Sequence, residues 1–130
     1  MKKNLTKITE SFFENIPNDK YGFELTKFEE LIVSGDIKEY FLVDVRKKEE
    51  FSQERIPGSV NIPYYKFSSQ VMDIPLEQKV IIISKRGIIA AQICSLLNAC
   101  GYSTWTLKEG LDGYMDIGDF LEGEKCSLER

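Results

Sequence analysis

Histidine is absent from this 130-residue chain, and that absence excludes more chemistry than any other count. It removes Ser-His-Asp triads, Cys-His pairs, histidine general bases and most zinc sites. Cysteine is scarce: Cys94, Cys100 and Cys126 are odd in number and are not spaced as C-x-x-C. This arrangement argues against a disulfide scaffold or a zinc ribbon and favours a reducing compartment. We therefore expect neither a metal site nor a cofactor.

Long apolar runs are also missing. The longest candidates, residues 80–83 and 87–91, are far shorter than the roughly 18 apolar residues of a membrane span. Residues 1–4 are basic but are followed by polar residues, which is not a signal-peptide pattern. The net charge of −4 argues against general nucleic-acid binding. We expect a cytoplasmic chain that binds neither a membrane nor nucleic acid.

The apolar residues that are present form five short runs, each a candidate strand. They occupy residues 21–25, 41–45, 59–62, 80–84 and 103–107. Residues 41–45 and 80–83 are almost continuously apolar, which is typical of parallel strands covered on both faces. Helical patterns lie between the runs, so the alternation predicts βαβ units and a compact α/β sandwich.

The candidate helices carry start and stop signals. Thr26 and Glu29 have the spacing of a capping box, and Gly35 would end that helix. Shorter helices are predicted for residues 47–53 and 65–72. The clearest helix covers residues 87–99 and ends before Gly101. Its predicted apolar face is formed by Ile88, Ala91, Cys94, Leu96 and Leu97.

The chain divides into three segments. Residues 1–20 form a helical extension whose apolar side carries Leu5, Ile8, Phe12 and Phe13. Residues 21–115 form the α/β domain, and residues 116–130 form an acidic C-terminal tail, which we expect to be helical to about Leu121.

The sharpest functional signal is the junction that follows the run at residues 80–83. It consists of Ser84, Lys85, Arg86, Gly87, Ile88 and Ile89, and it leads directly into a helix. Ligands of open α/β sheets bind at the carboxyl ends of strands, where a tight loop and a helix N-terminus can cradle an anion. Residues 78–108 contain no acid and carry +4, whereas the rest of the chain carries −8. The pattern fits an anion-binding loop, and it fits equally well bases that only solvate the strand ends.

Several motifs, in order, resemble a rhodanese-like domain over residues 21–115. They read FLVDVR at 41–46, EEF at 49–51, RIPGSVNIP at 55–63 and LKEGLDGY at 107–114. The resemblance implies a five-stranded parallel sheet with helices on both faces. For Asp44 and Arg46 we expect a charged pair that ties loops together at the end of a buried strand. For Pro57 and Gly58 we expect a turn.

Active members of this family carry a cysteine at the first position of the loop, which holds sulfur as a persulfide, and commonly an arginine five residues later. Here those positions are Ser84 and Ile89. The favoured interpretation is a non-catalytic domain that acts as an anion-binding, regulatory or protein-interaction module. Its loop would take a small anion or a partner protein, and Arg86 could reach over the loop in place of the missing arginine.

The alternative is an enzyme of the sulfurtransferase type with altered chemistry. It would use another cysteine, or Ser84 activated by Lys85 as in Ser-Lys systems. We expect Cys94 to lie in the core, Cys100 to be partly buried, and Cys126 to be accessible but poorly activated by its acidic surroundings.

Overall fold

The computed structural model describes residues 2–17, 19–117 and 121–124. The strands are β1 (Gly22–Phe23), β2 (Tyr40–Asp44), β3 (Val60–Asn61), β4 (Lys79–Ile83) and β5 (Ser103–Leu107). The α-helices are α1 (Lys2–Glu14), α2 (Leu25–Ser34), α3 (Lys48–Gln53), α4 (Phe67–Gln70), α5 (Ile88–Ala99) and α6 (Gly110–Ile117). Short 3-10 turns cover Asp36–Glu39, Tyr64–Lys66 and Val71–Asp73.

The strands form one sheet in the order β1-β5-β4-β2-β3, and every pairing is parallel. The central strand β4 pairs with β2 from Tyr40↔Lys79 to Asp44↔Ile83. Because all strands run in one direction, their carboxyl ends meet at a single edge of the sheet. The predicted five-stranded parallel sheet is therefore confirmed.

Helices cover both faces of the sheet, as expected. Successive side chains of a strand point to opposite faces, and β4 follows this rule with fully buried residues. Val80 and Ile82 pack in a cluster with α4 and α5, which we call the first core. Ile81 and Ile83 pack in a cluster with α2 and α6, which we call the second core. Burial on both faces explains why this run is continuously apolar.

The start of α2 differs from the prediction, whereas its end agrees. The helix begins at Leu25, and its N-cap, Glu24, makes no side-chain capping bond. The predicted capping box is therefore wrong, because Thr26 already lies within the first turn. Gly35 ends the helix with φ 87°, and its N–H donates to the carbonyl of Ile32.

The predicted helix over residues 65–72 is divided into three shorter pieces. A 3-10 turn at Tyr64–Lys66 leads into α4, and a second 3-10 turn at Val71–Asp73 follows it. Phe67 is the buried residue of α4. A single buried contact does not favour one long helix over this series of turns.

The buried face of α5 is rotated from the predicted one. Ala90, Ile93, Cys94 and Leu97 are its buried residues, and their i, i+3, i+4, i+7 spacing is that of one helix face. Ile88 and Leu96 are 69% and 59% exposed, and Ala91 is also exposed. The sequence placed Cys94 and Leu97 correctly and the three exposed residues wrongly.

Described residues near both ends of the chain contact the domain. From α1, Phe12 contacts the ring of Tyr21, and the Tyr21 hydroxyl donates to the carbonyl of Asn15. At the other end, residues 118–120 of the predicted helical continuation lie outside the described residues. Leu121 packs against the second core, and Glu122 exchanges two backbone hydrogen bonds with Arg55. Among the described helices, none has the length and apolar character needed to cross a membrane.

Candidate functional site

The loop between β4 and α5 lies at the centre of the sheet's carboxyl edge. Ser84 is only 1% exposed, whereas Lys85 and Arg86 are exposed. Gly87 follows in the left-handed region, with φ 87°, and is the N-cap of α5. The loop therefore buries its first residue and presents its two cations to solvent.

The Ser84 hydroxyl closes the loop from the inside. Its oxygen accepts the backbone N–H of Gly87 at 2.9 Å. A serine that accepts an N–H three residues ahead satisfies a donor at the start of a helix that would otherwise lack an intrahelical partner. Ser84 thus stabilises the local turn that begins α5.

The carbonyl groups of the loop point towards α6. The Ser84 carbonyl accepts the N–H of Leu111 at 2.9 Å, and the Lys85 carbonyl accepts the N–H of Asp112 at 2.9 Å. Because the C=O and N–H of a trans peptide point in opposite directions, the N–H groups of Lys85 and Arg86 face away from α6. With the first-turn N–H groups of α5, these donors can hold an anion.

Gly110, the first residue of α6, permits this close approach. A Cβ at this position would lie 2.5 Å from the Ser84 carbonyl oxygen, and the residue has φ 65°. Both the contact and the positive φ exclude larger residues without a shift of the loop. The backbone of residues 84–85 is therefore positioned by the start of α6 as well as by β4.

The cationic side chains do not close over the loop. The Arg86 Nε lies 3.8 Å from Asp112 Oδ2, and the Arg86 side chain is 70% exposed. Ile89, in the first turn of α5, is partly buried and packs against the first core. Arg86 is directed towards α6, and an anion at the loop would compete with Asp112 for it.

Asp44 and Arg46 form a buried ion pair at the end of β2. Arg46 Nε donates to both carboxylate oxygens of Asp44, at 3.0 and 3.1 Å, and Nη2 donates to Oδ2 at 2.9 Å. Nη2 also donates to the carbonyl of Glu54 at 2.6 Å. The pair therefore connects the end of β2 to the end of α3.

Asn61 completes this connection from β3. Its Nδ2 donates to the carbonyls of Asp44 and Arg46, both at 3.0 Å. Before β3, Pro57 and Gly58 form a turn in which Gly58 has φ 85° and the N–H of Ser59 donates to the carbonyl of Ile56 at 3.2 Å. These contacts organise the carboxyl edge beside the loop.

The two described cysteines are free thiols in different surroundings. Cys94 is buried, and burial raises the pKa of its thiol despite hydrogen bonds from Thr104 and Asn98, which act to lower it. Cys100 follows α5 and is exposed, which corrects the expectation of partial burial. Cys126 lies outside the described residues. Within the ranges described, no three His, Cys, Asp or Glu side chains group as metal ligands would.

Sequence reasoning did not assign a role to Asn61, Gly110 or Asp112. Asn61 is at the end of β3, and the other two follow β5, which neighbours β4 in the sheet. Their positions just after parallel strands were the available signal, since such residues meet at one edge. Strand order, which the sequence pattern leaves open, was needed to place Gly110 and Asp112 beside residues 84–86 and Asn61 beside the end of β2.

Comparisons with known proteins agree with this geometry. Residues 24–116 match the family model described as "Rhodanese-like domain". A protein of Bacillus subtilis (strain 168) named "Putative sulfurtransferase YtwF" is 24% identical over 74 residues, covering 57% of this chain and 72% of the relative.

Solved structures show the same fold. A rhodanese-related protein from Thermoplasma volcanium has a TM-score of 0.71 at 21% identity, covering 79% of this chain and 98% of that one. The protein SSP1007 from Staphylococcus saprophyticus has a TM-score of 0.69 at 28% identity, covering 78% and 97%. The chain belongs to the rhodanese-like domain family.

Proposed function

We propose that this protein is a rhodanese-like domain without cysteine-dependent sulfur transfer, and that its Ser84–Ile89 loop acts as an anion-binding, regulatory or interaction module. The observation that carries the proposal is the Ser84 hydroxyl at the first loop position, where it accepts the N–H of Gly87. The scaffold of the family is present around an altered loop.

A hydroxyl at this position cannot perform the family's reaction. In that reaction a thiolate attacks a sulfane sulfur and keeps it as a persulfide, which requires sulfur in the side chain. An alkoxide would require an adjacent base, because a hydroxyl is far less acidic than a thiol. The Ser84 hydroxyl instead accepts the N–H of Gly87, and the chain has no histidine to act as a base.

Anion binding is supported by the direction of the loop's backbone. The carbonyls of Ser84 and Lys85 are bonded to α6, which leaves the following N–H groups pointing to the opposite side. The N-terminus of α5 adds a positive potential there. Lys85 and Arg86 are exposed beside it and can contribute to long-range attraction of an anion.

The alternative use of another cysteine receives no support from the two described thiols. Cys94 is buried in the first core, and Cys100 lies beyond the far end of α5. This helix has 12 residues and is about 18 Å long, so Cys100 is remote from the loop. Incubation with thiosulfate followed by peptide mass mapping tests all three cysteines. The addition of one sulfur atom to any of them would favour the alternative.

Sulfur transfer is tested by mixing the protein with thiosulfate and cyanide and measuring thiocyanate. We expect no product from the wild-type chain. Ser84→Cys would place a thiol at the head of the anion-binding loop and is expected to acquire activity. Ser95→Cys, on the exposed side of α5, is the control for an added thiol. Wild-type turnover that is lost in Ser84→Ala would overturn the proposal.

Anion binding is tested by titration with inorganic phosphate, sulfate and thiosulfate while the backbone amide resonances are followed. We expect the largest shifts at Lys85, Arg86 and Ile88. Arg86→Gln should weaken the binding of these anions, whereas Arg55→Gln, which removes a cation paired with Glu122, should not. If the amide resonances of the loop do not shift, or shift no more than those of the rest of the chain, the loop does not bind anions and that element of the proposal is wrong. The free thiols also support our proposal of a cytoplasmic location.

A further inference from the structure

An exposed apolar surface adjoins the loop at the same edge of the sheet. We call it the edge surface and define it by Tyr64, Tyr65, Ile88, Lys85 and Arg86. The N–H of Tyr64 donates to the carbonyl of Val45 at 3.0 Å, and the N–H of Val45 donates to the carbonyl of Ile83 at 2.9 Å. Two backbone hydrogen bonds thus connect the tyrosine segment to the residue that precedes the loop.

The two apolar parts of the edge surface also lie on the same face of the sheet. Phe67 follows the 3-10 turn at Tyr64–Lys66, and Ile89 follows Ile88. Phe67 and Ile89 both pack against the first core, between α4, α5 and the sheet. Tyr64 and Tyr65 lie three and two residues before Phe67, and Ile88 lies directly before Ile89, so both apolar parts adjoin segments that pack on the α4 and α5 side of the sheet.

The apolar and aromatic side chains of the edge surface are large and exposed. Tyr64, Tyr65 and Ile88 are 48%, 55% and 69% exposed. The two tyrosine rings contact each other edge to face, with centroids 5.5 Å apart. A clustered apolar patch next to polar groups is typical of interaction sites, and tyrosine and arginine are enriched at the centres of interfaces.

The residues that define the edge surface are cationic or uncharged, and Asp112 Oδ2 of α6 lies 3.8 Å from Arg86 Nε. The two segments that build the edge surface, residues 61–72 and 78–108, contain no acidic residue, although the whole chain has 21. Of their bases, Lys66, Lys85, Arg86 and Lys108 follow strands at the carboxyl edge, whereas Lys79 begins β4 at the opposite edge of the sheet. In a chain with a net charge of −4, the exposed bases at this edge favour an acidic partner.

We propose that the edge surface binds an acidic peptide segment of a partner protein, one that carries an apolar or aromatic side chain next to its carboxylates. The carboxylates lie at the N–H groups of the loop and at Lys85 and Arg86. The apolar side chain covers Ile88 and the two tyrosines. This inference rests on the proposed function because both use the loop, but it specifies the chemistry of the partner.

An apolar contact in addition to the anion distinguishes such a peptide from a free anion. An inorganic anion satisfies the N–H groups and the cations, but it leaves Ile88, Tyr64 and Tyr65 in water. A peptide side chain removes this apolar area from water, which is favourable in proportion to the area covered. Affinity should therefore depend on the apolar residues as well as on the bases.

The test uses synthetic probes of defined composition. A random copolymer of glutamate and tyrosine, polyglutamate of equal length, and a copolymer of lysine and tyrosine are titrated into the full-length protein by calorimetry. We expect the glutamate–tyrosine copolymer to bind at least about tenfold more tightly than polyglutamate, a difference that corresponds to about 1.4 kcal/mol. The lysine–tyrosine copolymer should not bind.

Matched variants locate the contact. Ile88→Ser should reduce binding of the glutamate–tyrosine copolymer to the level of polyglutamate. Leu96→Ser, at another exposed position of the same helix, should leave binding unchanged. The circular dichroism spectra of both variants show whether the fold is retained, and Tyr65→Ser serves as a second apolar variant.

The outcomes separate this inference from the proposed function. If phosphate shifts the loop amides but the two acidic polymers bind equally, the inference is wrong and the anion-binding module remains. If the copolymer binds tightly but Ile88→Ser and Tyr65→Ser have no effect, the contact lies elsewhere and the inference is also wrong. If neither phosphate nor the acidic polymers bind, both proposals fail.

Discussion

The Ser84 side-chain oxygen accepts the backbone N–H of Gly87 at 2.9 Å, at the turn where β4 passes into α5. Ser84 is almost completely buried, so water cannot readily replace this acceptor. The hydroxyl therefore has a structural role at the first position of the loop. Under the proposed function, the same serine maintains the shape of the loop and offers no thiol for sulfur transfer.

Replacing Ser84 by alanine should reduce the stability of the domain. The Gly87 N–H would lose its acceptor, and comparable losses at helix starts cost about 1 kcal/mol. Urea unfolding measures this change. Ser95→Ala, on the exposed side of α5, is the control and should not destabilise, since alanine is the better helix former. Equal stability of Ser84→Ala and the wild type would show that the hydrogen bond contributes nothing.

Replacing Gly110 by alanine should lower the free energy of unfolding much more than replacing Gly35 by alanine. Both residues have positive φ, but a Cβ at Gly110 would meet the backbone of Ser84 and Lys85, whereas a Cβ at Gly35 meets nothing within 4 Å. The strain of a left-handed alanine is about 1–2 kcal/mol, and this is the expected cost at Gly35. Gly110→Ala should exceed it and shift the amide resonances of residues 84–86. Equal losses of stability in Gly110→Ala and Gly35→Ala would mean that α6 does not position the loop.

Removing Arg46 should destabilise the domain far more than removing Arg55. Arg46→Leu leaves the carboxylate of Asp44 buried without its ion-pair partner, which typically costs about 3–5 kcal/mol. Arg55→Leu breaks a partly exposed pair with Glu122, for which the expected cost is at most about 1 kcal/mol. Thermal unfolding of the two variants provides the comparison. Similar melting temperatures would contradict the structural role assigned to the Asp44–Arg46 pair.

The buried thiol of Cys94 should make stability fall at alkaline pH. Burial raises its pKa in the folded protein above the ordinary value of 9.0. Above that pH the unfolded chain releases the thiol proton while the folded chain retains it, so unfolding becomes more favourable until the folded pKa is passed. Urea unfolding at a series of pH values measures how steeply the free energy of unfolding falls with pH. This fall should be less steep in Cys94→Ala.

Thiol labelling provides an independent check on the burial of Cys94. Native protein treated with iodoacetamide should be modified at Cys100, which is exposed, and protected at Cys94. Unfolding in urea should remove the protection of Cys94. Rapid labelling of Cys94 in the native protein would contradict its place in the core.

Local patterns were sufficient for the fold because the central strands are buried on both faces. A short, continuously apolar run such as Val80 to Ile83 is typical of a strand in the middle of a parallel sheet, and the alternation with helices predicts parallel connections. The same information was insufficient for α5. Every side of that helix carries apolar residues, so composition could not decide that Ala90 and Ile93 face the sheet while Ile88 and Leu96 face solvent.

The sequence by itself determined the position of the loop, its basic character and the serine at its first position. It also determined that residues 21–115 resemble a rhodanese-like domain. Only the tertiary structure decided where the loop's backbone groups point. The carbonyls of Ser84 and Lys85 are fixed by N–H groups of Leu111 and Asp112, far away along the chain. These segments meet because β4 and β5 are neighbours in the sheet, and strand order depends on packing across the whole domain rather than on any local pattern.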